Sequence, residues 1–151
     1  MLRSHTGFGG DWFPELHWSP PEDVKEYVLV VEDPDIPLPF VATHGVFHSI
    51  PSYVDMITAS DVQYIKGEEK RKALVGPLKP GKTTLGTLYS GPRPPVGHGP
   101  HRYFFQLVAL NEPLDKALLG DFPTLTIIKR AIKDKVAGWG VWVGVWENKW
   151  E

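Results

Sequence analysis

Ten consecutive residues, His101 to Leu110, contain no proline, glycine or acidic side chain and are almost wholly aromatic or aliphatic. A run that short and that apolar is expected to be a strand buried on both faces, so the rest of the chain has to be layered around it. The segment feeding it, Gly91-Pro92-Arg93-Pro94-Pro95-Val96-Gly97-His98-Gly99-Pro100, is a shaped loop and not a linker. Its prolines fix φ in the first half, and its glycines supply backbone freedom in the second. The polar triplet His101-Arg102-Tyr103 thus stands where a stiff loop meets a buried strand, a junction that favours binding sites.

The other apolar runs are equally short. Phe13 to Trp18 reads as a short edge strand and Tyr27 to Val31 as a second buried strand, which ends in Glu32-Asp33-Pro34-Asp35-Ile36-Pro37. A strand over about His44 to Ile50 follows. Strict alternation would place His44, Val46, His48 and Ile50 on one face, so both histidines are expected to point the same way. Residues 55 to 72 read as a long surface excursion whose charged part, Lys66 to Lys72, is expected to be a solvated face. Ala73 to Pro77 and Thr83 to Tyr89 are candidate short strands around Pro80-Gly81.

Helix signals are few. Pro113 to Gly120 reads as one or two helical turns closed by glycine. Ile128, Ile132 and Val136 recur at helical spacing, so a helix is expected from Thr124 or Thr126 to Ala137, with Gly138 at its end. Trp139 to Trp146 closes the pattern as a strand with valines 141, 143 and 145 on one face and Trp142 and Trp146 on the other, expected to form two layers of core. Many short strands with Gly/Pro turns and two short helices point to a mainly β, antiparallel sandwich or barrel. One domain is expected over residues 13–151, preceded by a flexible N-terminus at 1–12.

Composition narrows the function classes. A formal charge of −2 gives no footprint for nucleic acid or for an anionic membrane surface. With no cysteine there is no disulfide framework, thiolate metal site or thiol nucleophile. Neither an apolar leader, a membrane-length apolar run nor an Asn-x-Ser/Thr acceptor occurs, so a cytoplasmic location is expected.

Three chemistries compete at the strand ends. A metal site would draw on His44, His48 or His101 with Asp33, but no compact ligand spacing is present. A hydrolase would rely on Ser49 or Ser90, without a Gly-x-Ser-x-Gly elbow. An anion pocket needs imidazoles, a phenol and loop N–H groups, with an aspartate behind them fixing a histidine's tautomer; Asp33 and Asp35, His44, His101 and Tyr103 supply these groups.

At these residues the sequence resembles the phosphatidylethanolamine-binding protein family, which includes Raf kinase inhibitor protein. Asp33-Pro34-Asp35-Ile36-Pro37 with His44 is similar to its first motif, and Gly91-Pro92-Arg93-Pro94-Pro95 through Gly97 to His101-Arg102-Tyr103 is similar to its second. Looser similarity runs from Pro14 to Trp146. The resemblance implies a β-sandwich whose small cavity takes phosphate, acetate or a phosphatidylethanolamine-like head group, with no cofactor. By position, Asp33, His44, Pro95, His101 and Tyr103 would line it, with Asp35 and Pro37 in support and Arg93 nearby.

Arg93 stands where relatives have a small residue, so it is expected to fill the mouth or add a cation; Gly45 widens the wall beside His44. The resemblance also implies a shortened N-terminal region, with an edge that a second copy would cover in a homodimer, and no lid helix, as in the shorter bacterial type. The function expected is that of a non-enzymatic binding protein. An inhibitor or scaffold that contacts a protease or kinase through its surface is the rival, and a hydrolase the third reading. Loss of either His44 or His101 is expected to remove anion binding while leaving the fold intact.

Overall fold

The central run forms β6 (His101–Leu110), and it sits inside a five-stranded antiparallel sheet, as its composition demands. The computed structural model describes residues 1–150. The remaining strands of that sheet are β2 (Glu26–Asp33), β3 (Ala42–Pro51), β5 (Lys79–Pro80) and β7 (Val136–Trp146), in the order β5-β3-β2-β6-β7. A two-stranded ribbon, β1 (Leu16–His17) with β4 (Met56–Ile57), covers one face. Helices α1 (Lys116–Leu119) and α2 (Leu125–Ala131) cover the other. The architecture is therefore mainly β, with antiparallel sheets and two short helices, as the sequence implies.

Alternation along β2 builds both cores. Tyr27, Leu29 and Val31 meet Phe47, Phe105, Phe13 and the ribbon residues Leu16 and Ile57 on one side. Val28 and Val30 meet Val46, Leu110 and the helix residues Leu119 and Ile128 on the other. At about 1.5–3 kcal/mol for each large apolar side chain fully buried, these two layers supply most of the drive to fold.

Two bulges overturn the expected alternation in β3. Tyr27 pairs with Ile50 but Leu29 with Phe47, and Val31 pairs with Gly45 but Glu32 with Thr43. Each step inserts one extra residue, so the face switches. Ile50 consequently joins Phe47 in the first core while Val46 lies in the second. His44 turns toward Tyr103 in the first layer, whereas His48 lies beside the α1 side, so the two histidines do not share a face.

Other expectations change locally. Residues 73–77 and 83–89 form only the isolated bridges Tyr64↔Leu74 and Gly45↔Tyr89, because their glycines and prolines interrupt any longer ladder. Helix α2 ends at Ala131, well short of Ala137. Asp134, at φ +63°, reverses the chain, and β-branched Val136 already begins β7, so Gly138 lies inside a strand. Of the two faces of β7, Trp142 and Trp146 pack on the first core, but Val141, Val143 and Val145 are exposed and form no second layer.

Residues 1–12, expected to be flexible, are folded against the proline-rich loop. Thr6 is fully buried, the Gly7 amide donates to the Pro92 carbonyl at 3.0 Å, and the Gly91 amide donates to Asp11 Oδ1 at 2.7 Å. The N-terminal ammonium reaches the Val145 carbonyl at 3.2 Å. The anchors are backbone amides and carbonyls, one carboxylate and the terminal ammonium, groups that carry no hydrophobic signal in the sequence. Among the described residues, no helix is long and apolar enough to cross a membrane.

Candidate functional site

Strand order decides which side chains meet. β2 lies between β3 and β6, so its C-terminal Asp33 lies beside the starts of both neighbours. Val31 pairs with Phe105, and continuing that register puts Asp33, Tyr103 and His101 on one face at one end of the sheet. His44 joins them because it is the extra residue of a bulge, unpaired between Thr43 and Gly45. Its ring meets Tyr103 edge-on, with centroids 5.2 Å apart, and the Tyr103 and His101 rings lie nearly parallel at 6.4 Å.

Hydrogen bonds fix the rings. A carboxylate only accepts, so His101 Nδ1–H donates to Asp33 Oδ2 at 2.7 Å; Asp33 Oδ1 accepts the Asp35 amide at 2.8 Å. Both side chains of this pair are about 1–2% exposed. His101 Nε2 lies 2.8 Å from His98 Nδ1, so one proton is held between two imidazoles. His44 Nδ1–H donates to the Ser90 carbonyl at 2.6 Å, which leaves Nε2 as its free nitrogen. The Tyr103 hydroxyl is buried and, although near the Asp33 carboxylate, makes no hydrogen bond of standard geometry among the described residues.

The electrostatics follow from burial. Desolvation lowers the His44 pKa, against the Ser90 carbonyl and the Asp33 charge, which favour the protonated ring. Burial, with the Asp33 charge second, holds the Tyr103 phenol well above its usual range, so it remains a donor at every physiological pH. The end of the sheet therefore presents imidazole and phenol groups backed by one aspartate, a set suited to holding an oxyanion. Ser90 Oγ is 3.3 Å from His44 Nδ1, but that nitrogen already gives its proton to the Ser90 carbonyl and cannot act as a base toward the hydroxyl. Among the described residues, no three His, Cys, Asp or Glu side chains are grouped to hold a metal ion.

The remaining sequence candidates lie around this cluster. Asp35 accepts from the Arg102 amide, Nε and guanidinium at 2.7–2.9 Å, clamping the turn after β2 to the start of β6. Arg102 holds the Asp35 carboxyl down at about 2, against an ordinary 3.8. A depressed folded-state value adds stability above pH 3.8 that disappears as pH falls through about 2. The pair is exposed, so Asp35→Asn should cost no more than about 1 kcal/mol at pH 7 and flatten the loss below pH 4, read from urea unfolding at both pH values.

Pro37 and Pro95 lie at the surface, and Arg93 forms an ion pair with Asp11, which draws its side chain toward the N-terminal segment. The Arg93 charge still opposes protonation of His44. Two contributors, His98 and Asp11, escaped the sequence reading, and Ser90, considered there only as a nucleophile, contributes through its carbonyl. Only His98 left a signal, a titratable residue between Gly97 and Gly99, both in the left-handed region at φ +73° and +97°.

Residues 1–147 match the family model described as Phosphatidylethanolamine-binding protein. Among curated proteins, the chain is 38% identical over its full length to Phomoidride biosynthesis cluster protein B of a fungal species (strain ATCC 74256), and spans 73% of that protein. It is 39% identical over 97% of its length to the protein of the same name from Talaromyces stipitatus, of which it spans 61%. A UPF0098 protein of Aquifex aeolicus is 36% identical over 72% of the chain. Among solved structures, a phosphatidylethanolamine-binding protein homologue from Chlamydia trachomatis superposes with a TM-score of 0.78 over 97% of this chain and 88% of its own, at 22% identity. Escherichia coli YbcL gives 0.76 over 97% and 90%, at 24% identity. At those identities the structural likeness speaks for the fold.

Proposed function

The chain belongs to the phosphatidylethanolamine-binding protein family, and from that premise we propose that it is a non-enzymatic binding protein whose sheet end holds an oxyanion: a phosphate, a carboxylate or a phospholipid head group. The observation that supports this reading best is the Tyr103 hydroxyl, a buried donor that makes no hydrogen bond of standard geometry among the described residues, beside His44 and His101. Leaving such a group unsatisfied costs about 1–3 kcal/mol, which a bound oxygen removes. His44 Nε2 supplies a second contact when protonated, and the bound anion stabilises the imidazolium. His101 supplies a third once His98 releases its Nε2, a movement that Gly97 and Gly99 permit.

The test is calorimetric titration of inorganic phosphate and phosphorylethanolamine into the wild type, His44→Ala and Tyr103→Phe. Each variant is expected to weaken binding at least about tenfold, since each loses a contact of about 1.5–3 kcal/mol to a charged group. Unchanged affinity in both would overturn the reading.

A second reading is favoured by the relatives named as biosynthesis cluster proteins. In it the same groups hold an anionic biosynthetic intermediate in place of a lipid head group. The two readings separate by the preferred anion: an intermediate binder takes small organic carboxylates more tightly than phosphorylethanolamine. A regulator of a protease or kinase that works through its surface would instead tolerate loss of His44.

A further inference from the structure

At the β5 edge of the sheet lies a groove of about 930 Å³, lined by none of Asp33, His44, His101 or Tyr103. Three separate stretches of chain bring cations to it: Lys70, Arg71 and Lys72 from the excursion, Lys79 from β5 and Lys116 from α1, against the single carboxylate of Asp121. That imbalance stands out in a chain whose formal charge is −2. Arg71 pairs with Glu68, and Lys72 lies over the Tyr64 and Phe122 rings. Lys70, Lys79 and Lys116 have no ion-pair partner among the described residues. The charge run that reads as a solvated face in the sequence is one wall of a concave site.

The second observation comes from His48, which is 2% exposed and forms part of the same groove. Its Nδ1 lies 3.0 Å from the hydroxyl of Ser49, a residue held in the left-handed region at φ +52° by the bulge. Its Nε2 is buried with no hydrogen-bond partner among the described residues. With the Ser49 hydroxyl donating to Nδ1, Nε2 carries the ring proton, and the Pro80 carbonyl beside the ring favours that proton without completing a hydrogen bond of standard geometry to it. Lys79 is the residue directly opposite His48 in the β3–β5 ladder. Leu74, Leu78 and Leu119 supply the apolar part of the lining.

We propose that this groove binds a small amphipathic molecule with a doubly charged oxyanion head, a phosphate monoester or a dicarboxylate. The head lies against Lys79, Lys116 and His48 Nε2, and the apolar body follows the leucines. A volume of about 930 Å³ lies in the range of sites for drug-sized ligands, and a few polar groups within a partly apolar lining is the composition such sites share. Burial and the Lys79 charge keep His48 uncharged at neutral pH, so its contribution is one directed donor while the lysines supply the charge.

Octyl phosphate and octylsuccinate serve as probes, each titrated by calorimetry into the wild type, His44→Ala and the double variant Lys79→Glu/Lys116→Glu. Both lysines are exposed, so the double variant is expected to fold, which its circular dichroism checks; Lys116→Ala is the milder alternative. The expected result is saturable binding that survives in His44→Ala, weakens at least tenfold in the charge-reversal variant, and shifts the His48 ring resonances. The tighter probe identifies the head group. Binding that disappears in His44→Ala while the charge reversal leaves it unchanged assigns the probe to the other site and overturns the proposal. Failure of both probes to saturate overturns it too, as does binding to phosphatidylserine vesicles without binding to either soluble probe.

Discussion

His101→Ala is expected to lower stability by about 3–5 kcal/mol, the usual cost of breaking a buried pair by removing one member. Asp33 and His101 are almost fully buried, and among the described residues the imidazole is the only side chain with a hydrogen bond of standard geometry to the carboxylate. Removing it leaves Asp33 with the Asp35 amide as its hydrogen-bond partner among the described residues, beside a layer built of apolar side chains. Urea unfolding at pH 7 reads the effect, and a loss below about 1 kcal/mol would show that the pair does not hold this end of the sheet. His44 is different: its hydrogen bond is to a backbone carbonyl and not to a buried charge, and it is 9% exposed against 1% for His101. The two histidines are therefore not equivalent probes, and only His44→Ala tests binding without a large loss of fold.

Acidification from pH 7 to pH 4 should destabilise the wild type through His48 by about 2–3 kcal/mol, a loss absent from His48→Leu. Burial lowers the pKa of this ring from 6.5 to about 4, with the Lys79 charge second and the Pro80 carbonyl opposing. Because the folded-state value lies below the unfolded one, the unfolded chain binds a proton first as pH drops through 6.5, and stability falls until the folded ring titrates near 4. At 1.36 kcal/mol per unit, the shift sets the size of the effect. Carboxylates titrate in the same window but do so in both proteins, so the difference between the two pH profiles isolates His48. Parallel profiles would mean that His48 is not the titrating group.

The parts of this architecture that alternate cleanly were legible from the residues. The apolar run of β2 announced a buried strand and that of β6 a strand, though β6 is fully buried on one face only, its other face carrying exposed Arg102 and half-buried Phe104, Gln106 and Val108; the motif residues Asp33, His44, His101 and Tyr103 are brought to one end of the sheet. What escaped was set by backbone irregularity. A bulge costs one residue and leaves no compositional mark, yet it turned His44 toward Tyr103 and separated it from His48. The end of α2 was misplaced because Ile132 and Val136 keep a helical spacing across a turn made at Asp134. Ser90 and Asp11 act through a carbonyl accepting one proton and a carboxylate capping one amide, roles that any polar loop residue can fill. The grouping of Lys70, Lys79 and Lys116 is likewise invisible until the excursion folds back over β5.

The measurement that tests the central claim most directly is histidine ring NMR during a phosphate titration, repeated between pH 5 and pH 8. Binding of an oxyanion at the end of the sheet predicts that the His44 and His101 resonances shift together and saturate, that His98 moves with them, and that affinity falls as pH rises and His44 loses its proton. Saturable phosphate binding that leaves both His44 and His101 unmoved, or no binding at any pH in that range, would contradict it.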